Sequence, residues 1–337
     1  MQKNQILSNE CYQKIKGILD EARSNIYRQV NFIMVQAYWN IGQIIVNEEQ
    51  KGKAKAEYGK KLLKNLSVKL TKDFGRGFDS SNLWNMRRFY LTFPILDALR
   101  RELSWTHYRH LLRLDDEKAR AFYLNECAES RWSTRELDRQ INSMLFERLY
   151  LSKDKEKVSA LAEEGHILSS PKDAIKDPYI LDFLGWPEHA SFSEKELEIA
   201  IIDNLQHFLL ELGKGFSFVA RQHRITLDND HFYIDLVFYN RLLRNFVLID
   251  LKIGKLTHQD LGQMQMYVNY FDRDIKTDDE NSTIGMVLCR DKNEVVAKYT
   301  LPKDNNTIFA SKYKTYLPTE KELKRELEGI ELRQKMQ

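Results

Sequence analysis

With 337 residues, the chain is long enough to fold as two domains that each bury a hydrophobic core. Its composition, 42% hydrophobic and 30% charged, is that of an ordinary globular protein. No run of about 18 apolar residues exists, which excludes a membrane-spanning helix. The net charge of +3 is close to neutral for the chain as a whole.

The N-terminal residues and the cysteines predict where the protein is found. The first residues, MQKNQILSNECYQKIKG, lack the apolar stretch of a secretory signal. Cys11, Cys127 and Cys289 are scattered and form neither a metal-ligand pair nor a disulfide framework. We therefore expect a cytoplasmic protein with reduced thiols and no membrane partner.

Positive charge is concentrated in residues 51–100, which hold twelve lysines and arginines against four acids. Local positive charge of this kind favours a phosphate-bearing partner. The other interpretation is a solvated helical face.

The N-terminal part, residues 1–151, has helical spacing of its apolar residues, as in YRQVNFIMVQAYWNIGQIIVNEEQ. One helix ends at Gly75, and the next begins after the cap cluster Asp79-Ser80-Ser81. This pair is compatible with a helix-turn-helix or winged-helix domain, in which Arg87 and Arg88 would contact nucleic acid. Plain helical packing explains the same pattern. A further helix is predicted after the capping box formed by Ser133 and Glu136.

Residues 152–190 change character, with charge runs and turn residues that predict a linker containing one short helix. The second domain is expected over 191–318. A charged helix or tail is expected over 319–337.

The second domain shows the element order α-β-β-β-α-β, which predicts a mixed sheet flanked by helices. Its first helix begins with a capping box, Ser193 to Glu196, and ends at Gly213. The later elements are three strands, a helix and a fourth strand, in the segments FSFVARQHRITL, HFYIDLVFYN, RNFVLIDLKIG, QDLGQMQMYVNYF and STIGMVLCRDK.

Two of these strands carry an aspartate where burial makes a carboxylate costly, Asp235 and Asp250. A four-residue loop over 241–244 would set the two opposite each other, with Cβ atoms roughly 5 Å apart. Lys252 shares the strand face of Asp250. A divalent cation between the acids would remove their repulsion. The alternative is a structural ion pair in which Lys252 neutralises one acid.

These residues and their element order resemble the PD-(D/E)xK nuclease superfamily, and more narrowly the YhcG family of bacterial nucleases. The resemblance extends over roughly residues 20–300 and is carried by LELGKGFSFVARQHR, FYIDLVFYNRLLRNFVLIDLKIGKL, LGQMQMYVNYFD and, in the helical half, FGRGFDSSNLWNMRRFY. It implies a restriction-endonuclease-like αβββαβ domain behind an all-helical N-terminal domain. The family usually has Glu-x-Lys in the third strand, whereas this chain has Asp250.

The resemblance also implies the roles of the site residues. Asp235 and Asp250 would bind Mg²⁺ or Mn²⁺, with the Leu251 carbonyl as a further ligand. Lys252 would orient or activate the attacking water and stabilise charge on phosphorus, as phosphodiester hydrolysis requires. Gln263 is expected to touch the site or the scissile phosphate; a surface glutamine is the alternative.

The first helix and first strand offer further candidates. Glu198 aligns with the family's Leu-Glu before an apolar run and is a candidate third metal ligand, or a solvated helix residue. Arg221, Gln222 and Arg224 are candidate contacts to the site or to the phosphate backbone, or ordinary polar residues of an edge strand.

We therefore expect a metal-dependent deoxyribonuclease whose helical domain binds nucleic acid or a protein partner, and which acts as a homodimer by analogy with related enzymes. The alternative is a nucleic-acid-binding or scaffold protein that keeps the fold without turnover. The eight histidines form no zinc pattern, and neither a Walker-type loop nor a serine-hydrolase motif occurs.

Overall fold

The computed structural model describes residues 2–51, 56–151 and 170–335. The chain forms two compact units, Met1–Asp138 and Arg139–Gln337. The first unit is therefore shorter than the predicted 1–151. Among the described residues, none of the helices combines the length and apolar character that a bilayer span requires.

The first unit is helical. Its helices are α1 (Gln2–Lys51), α2 (Ala56–Phe74), α3 (Ser80–Thr92), α4 (Trp105–Leu111) and α5 (Glu117–Ser130), followed by α6 (Thr134–Asn142) at the unit boundary. Gly42 lets α1 and α3 approach closely, because a Cβ there would lie 2.1 Å from the Met86 carbonyl oxygen. Leu83, Met86 and Phe89 of α3 are fully buried in the resulting core.

The predicted helix pair is confirmed as α2 and α3. Helix α2 ends at Phe74, just before Gly75 with its φ of +81°. Asp79 caps α3, and its carboxylate accepts from the N–H groups of Ser81 and Asn82 at 2.9 and 3.0 Å. The described residues of this unit contain no strand, so they match the helix pair and not its winged form.

The second unit is built on a six-stranded mixed sheet. Its strands are β1 (Tyr179–Ile180), β2 (Phe216–Leu227), β3 (Asp230–Asn240), β4 (Asn245–Lys255), β5 (Ile284–Asp291) and β6 (Ile308–Lys314). Its further helices are α7 (Leu145–Leu151), α8 (Glu194–Asp203), α9 (Leu205–Leu212), α10 (His258–Tyr270), α11 (Glu294–Thr300) and α12 (Glu320–Lys335). The strand order is β1-β6-β5-β4-β3-β2. The pairs β2–β3 and β3–β4 are antiparallel, and the pairs β4–β5, β5–β6 and β6–β1 are parallel.

The predicted order α-β-β-β-α-β is confirmed, with two differences. The single helix expected from Ser193 to Gly213 is broken at Asn204 into α8 and α9. The sheet also continues through β6 and β1, which the sequence pattern did not reveal.

Residues 170–190 were predicted to be part of the linker, and that prediction is wrong. Strand β1 pairs in parallel with β6, and Tyr179, Ile180 and Leu181 are fully buried. Prolines and charges surround a strand of only two residues, so no alternation was available to reveal it. Residues 152–169 lie outside the described residues, and the linker there stays a prediction.

Each face of the sheet packs against a separate hydrophobic core, and the alternation of side chains between the two faces positions the acids. Ile249 and Leu251 of β4 pack on the face that carries α8 and α9. Leu248 packs on the opposite face, against residues of α10. Because side chains alternate along a strand, Asp250 and Lys252 project on the α10 side.

Candidate active site

The β3–β4 hairpin brings the two aspartates together. Asn240 pairs with Asn245, which confirms the four-residue loop, and the ladder continues to Leu236 opposite Ile249. One further step in this register sets Asp235 opposite Asp250. Oδ2 of Asp235 accepts a hydrogen bond from the Leu251 N–H at 2.8 Å, which fixes its carboxylate against β4.

Asp250 is a buried acid with an acid neighbour. The residue is only 3% exposed to solvent. Burial, with the nearby Asp235 carboxylate as the second cause, raises the pKa of Asp250 to about 7. Its Oδ2 lies 2.7 Å from the Lys252 ammonium but makes no hydrogen bond of good geometry with any described residue.

Lys252 is surrounded by carboxylates. Burial disfavours its charged form, but Asp250, Glu194 and Asp235 outweigh that effect and raise the pKa of Lys252. Oε2 of Glu194 lies 4.0 Å from its Nζ, and Oε1 of Glu194 accepts from the Ile253 N–H at 3.2 Å. Sequence reasoning missed Glu194, because its position at the start of α8 looks like an ordinary first-turn acid.

Gln222 connects a third acid to the pair. Its Nε2 donates to Oε2 of Glu198 at 2.7 Å and to Oδ1 of Asp235 at 2.9 Å. Its backbone has a φ of +47° within β2, a costly conformation for a residue with a side chain. Burial is the main cause that raises the pKa of Glu198. Glu198 therefore contacts the site through Gln222.

Gln263 contacts a tyrosine that lies near the acids. Its Nε2 donates to the Tyr267 hydroxyl, which donates to the Tyr233 carbonyl at 2.9 Å. Burial raises the pKa of Tyr267, and the charges of Asp250 and Asp235 add to the increase. Tyr267 is thus part of the site's surroundings, and its position four residues after Gln263 on one helix face is the signal that could have identified it.

The two arginines of β2 differ in position. The positive charge of Arg221 offsets part of the burial effect that raises the pKa of Glu198, so Arg221 lies near this acid. Arg224 lies farther along the strand, exposed, and its Nε donates to Thr226 Oγ1 at 3.3 Å. The structure therefore associates Arg221 with the acids more closely than Arg224.

Arg87 and Arg88 are engaged within the first unit. Nε of Arg87 lies 2.6 Å from Oε2 of Glu49, whose side chain is only 18% exposed. Arg88 contacts the exposed Asp115 at 3.4 Å and lies over the ring of Trp84 at 5.5 Å. Arg87 therefore has a structural role in this ion pair, which the sequence analysis did not predict.

A different cluster of arginines faces a cleft of about 690 Å³ in the first unit. The cleft is lined by Arg28, Arg101, Arg131, Phe32 and Trp132, together with polar residues of α1. Arg101 lies over the Phe32 ring at 5.5 Å. Sequence reasoning missed this cluster because its members come from three separated segments, without a common motif.

The donor set at the acids suits a hard divalent cation. Asp235 and Asp250 supply carboxylate oxygens, and Oδ2 of Asp250 is a buried oxygen that is incompletely satisfied. The described residues contain no group of three acidic, histidine or cysteine side chains that could hold an ion. Two carboxylates, completed by a backbone carbonyl and water, form the oxygen set that Mg²⁺ prefers. The residues therefore fit the ion; Glu198 reaches the pair through Gln222, and its role as a third ligand stays a prediction.

An acid pair with an adjacent lysine, on a mixed sheet of this order, defines a PD-(D/E)xK nuclease domain. Residues 172–328 match the family model described as the YhcG PDDEXK nuclease domain, and residues 14–148 match the DUF1016 N-terminal domain. A protein of Escherichia coli (strain K12) named "Putative nuclease YhcG" is 39% identical over 355 aligned positions, covering 94% of this chain and 93% of that protein. The chain belongs to the YhcG family.

Two solved structures resemble part of the chain. One is a repair endonuclease from Pyrococcus abyssi, with a TM-score of 0.25, 18% identity and coverage of 39% of this chain and 50% of that one. The other is an EndoMS complex with double-stranded DNA, with a TM-score of 0.25, 12% identity and coverage of 40% and 50%. Both likenesses leave more than half of this chain unmatched.

Proposed function

We propose that this protein is a metal-dependent nuclease that hydrolyses phosphodiester bonds in DNA. The observation that carries the proposal is the juxtaposition of Asp235 and Asp250 on paired strands, with the Lys252 ammonium 2.7 Å from Asp250. A purely structural ion pair does not account for the second acid, whose carboxylate adds to the larger effect of burial in raising the pKa of Asp250.

Asp235, Asp250 and the Leu251 carbonyl would hold a Mg²⁺ or Mn²⁺ ion. When bound, the ion would supply positive charge to the scissile phosphate and lower the pKa of an attacking water. Glu198 holds Gln222, and Gln222 holds Oδ1 of Asp235, so these two residues orient the ligand.

Lys252 acts as a cation in this scheme. Its raised pKa keeps the ammonium charged at neutral pH, so it stabilises negative charge on phosphorus and orients water by donating hydrogen bonds. Glu194 holds the backbone of Ile253 and lies near the ammonium, which keeps β4 and Lys252 in position.

Binding of the nucleic acid involves both units in this proposal. Arg221 lies beside the acids in the second unit. The first unit offers a cleft in which arginines lie among aromatic side chains, a combination that suits phosphates and stacked bases. A protein partner for this unit is the competing proposal, and a nearly flat salt dependence of DNA affinity would favour it.

Two such sites would cut both strands of a duplex in one binding event, so we propose that two chains act together on duplex DNA. We further propose a cytoplasmic location, which suits a protein with three free cysteines. Measuring the mass of the protein with and without a duplex, by light scattering, tests the dimer.

The central experiment compares Asp235→Asn and Lys252→Gln with the parent on DNA and RNA in the presence of Mg²⁺ or Mn²⁺. Asp278→Asn, an exposed aspartate after α10, is the matched control. We expect loss of cutting in the two site variants only, with folding verified by circular dichroism. Cutting by both site variants at the parent's rate would contradict the proposal. Metal-independent binding by a parent that cuts no substrate would instead favour a binding protein without turnover.

A further inference from the structure

A second polar cleft of about 310 Å³ lies at one edge of the sheet in the second unit. Its lining includes Arg290 of β5 and Lys312, Tyr313 and Lys314 of β6, with His189 from the segment before α8. We call it the β5–β6 cleft. None of these residues belongs to the acid pair or its contacts described above.

Strand register places the β5–β6 cleft beside the candidate active site. Lys252 pairs with Cys289, and Cys289 pairs with Lys312, in parallel ladders. Lys252, Arg290 and Lys312 therefore lie at the same end of three adjacent strands. Neighbouring strands are about 4.8 Å apart, so the backbones of β5 and β6 at this end lie roughly 5–10 Å from that of Lys252. Tyr313 and Arg290 project on the α8 side of this sheet end, and Lys252 projects on the α10 side. A nucleic-acid strand carries a phosphate about every 3.4 Å of helix axis, so neighbouring phosphates fall within this distance.

One residue that lines the cleft, Tyr313, has a buried hydroxyl without a partner among the described residues. Tyr313 is only 3% exposed, and its hydroxyl makes no hydrogen bond to any described residue. A buried donor without a partner is destabilising, so a ligand oxygen that accepts from it would be bound more tightly. Burial raises the pKa of Tyr313 strongly; the charge of Arg290 lowers that pKa and the charge of Glu194 raises it. The hydroxyl is thus close to both the cleft's arginine and the acid beside Lys252.

The charge of the β5–β6 cleft favours an anion. Arg290, Lys312 and Lys314 outnumber the single acid of the lining, Glu188. Arg290 lies over the Phe192 ring at 5.5 Å, and Lys314 over the Tyr316 ring at 5.9 Å. Stacking orders a guanidinium while leaving its in-plane N–H groups available, which is the geometry that binds phosphate.

We propose that the β5–β6 cleft binds a phosphate group of the nucleic acid next to the phosphodiester that is cut. Arg290 supplies the charge-assisted hydrogen bonds, and the Tyr313 hydroxyl donates a further one. The inference rests on the proposed nuclease function, because it assumes a nucleic-acid strand in the neighbouring site. The phosphate is either an internal phosphodiester or a terminal monophosphate; the chemistry of recognition is the same.

The test measures binding of the full chain to a fluorescent 20-nucleotide DNA strand across a salt series, in EDTA to prevent metal-dependent cutting. Arg290→Gln removes one charge, and Tyr313→Phe removes only the hydroxyl. Arg241→Gln is the matched control, because Arg241 is an exposed arginine of the same sheet in the β3–β4 loop, at the opposite end of β4. Each strand is tested with a 5′-hydroxyl and with a 5′-phosphate.

We expect Arg290→Gln to weaken binding at low salt by about tenfold and to reduce the slope of log affinity against log salt by about 1. Tyr313→Phe should weaken binding by about tenfold without changing that slope, since no charge is lost. A merely structural role for Tyr313 would leave affinity unchanged. A loss restricted to the 5′-phosphorylated strand identifies a terminal phosphate, and a loss on both strands an internal one.

Several outcomes would overturn the proposal. Arg290→Gln could behave like Arg241→Gln, Tyr313→Phe could bind as the parent does, or the parent could fail to bind any strand. If the parent binds and these losses appear, but no substrate is cut with metal, the phosphate site stands while the nuclease function fails. If the parent cuts DNA but neither variant loses affinity, the nuclease function stands while the phosphate site fails.

Discussion

The second unit contains two buried carboxylate clusters that differ in their number of cationic partners. Burial alone would raise the pKa of Glu211, but Arg148, Lys176 and Arg139 outweigh it and lower that pKa to about 2. At Asp250, by contrast, a second acid opposes the single lysine, and the pKa rises to about 7. A charge kept for stability is fully paired, whereas the acid pair at β3 and β4 retains unsatisfied negative charge suited to a ligand.

The Glu211 cluster also explains why residues 139–151 belong to the second unit. Nη1 of Arg148 donates to Glu211 at 2.7 Å and to the Pro178 carbonyl at 2.8 Å, and Arg139 lies 3.3 Å from the other carboxylate oxygen. The Ile180 N–H donates to the same acid at 3.0 Å. One glutamate therefore connects α6, α7 and the start of the sheet.

Removing one partner of the stability cluster should have the largest effect. Arg148→Met leaves Glu211 buried without its main cation, and we expect a loss of about 3–5 kcal/mol in the free energy of unfolding. Urea denaturation measures it. The double variant Arg148→Met/Glu211→Gln should recover much of the loss, because the uncompensated charge is gone; no recovery would contradict a fully paired cluster.

Removing the lysine of the acid pair should affect rate and leave stability nearly intact. Lys252→Gln is expected to lower kcat by about 10²–10³-fold, because a cation that stabilises transition-state charge is lost. Single-turnover cleavage with saturating Mg²⁺ measures this. Lys303→Gln, an exposed lysine in the turn after α11, serves as the control. A loss of rate that is matched by unfolding of the variant would argue for a structural lysine.

Between pH 5 and pH 8, Asp250 should make the stability of the metal-free protein depend on pH, whereas Glu211 should not. Because the folded-state pKa of Asp250 is about 7 against an ordinary 3.8, its protonated form stabilises the fold at low pH, and this contribution is lost as pH rises through 7. Asp250→Asn has no such proton to lose. The free energy of unfolding of Asp250→Asn, relative to that of the parent, should therefore increase by roughly 2 kcal/mol as the pH is raised from 5 to 8.

Glu211→Gln provides the comparison for that experiment. Glu211 is ionised throughout this range, since its pKa is lowered to about 2. The stability difference between Glu211→Gln and the parent should stay constant from pH 5 to pH 8 in EDTA. Parallel curves for Asp250→Asn and the parent would refute the raised pKa of Asp250.

The smallest expected effect concerns the strained backbone at Gln222. Gln222→Gly should be more stable than Gln222→Ala by about 1 kcal/mol, because glycine adopts a positive φ without steric cost. Both variants lose the hydrogen bonds to Glu198 and Asp235, so both should cut more slowly than the parent. Equal stability of the two variants would show that residue 222 is not held in this conformation.

The sequence was sufficient for the parts of the fold that depend on local pattern. Alternation in β2, β3 and β4 predicted the strands to within one residue. The loop length at 241–244 predicted the β3–β4 register, in which the paired residues extend to Leu236 opposite Ile249, one step before Asp235 and Asp250. A capping box at Ser193 and the cap cluster at Asp79 predicted two helix starts, because caps are formed by neighbouring residues.

Features that depend on distant residues could not be predicted in the same way. Glu194 contacts Ile253 from 59 positions away, and the Tyr313 hydroxyl becomes an unpaired group only when β6 joins the sheet. Arg87 looked like a phosphate contact because its partner, Glu49, belongs to another helix. Tertiary packing determines which charges are paired, and the spacing of residues within one segment does not predict these contacts.

The most direct test of the account is a crystal structure of the parent soaked in Mn²⁺, with anomalous data collected at the manganese edge. We expect one anomalous peak within about 2.0–2.3 Å of an oxygen from both Asp235 and Asp250, and no peak at Glu211. Well-ordered Asp235 and Asp250 carboxylates with no peak between them at saturating Mn²⁺ would contradict the central claim.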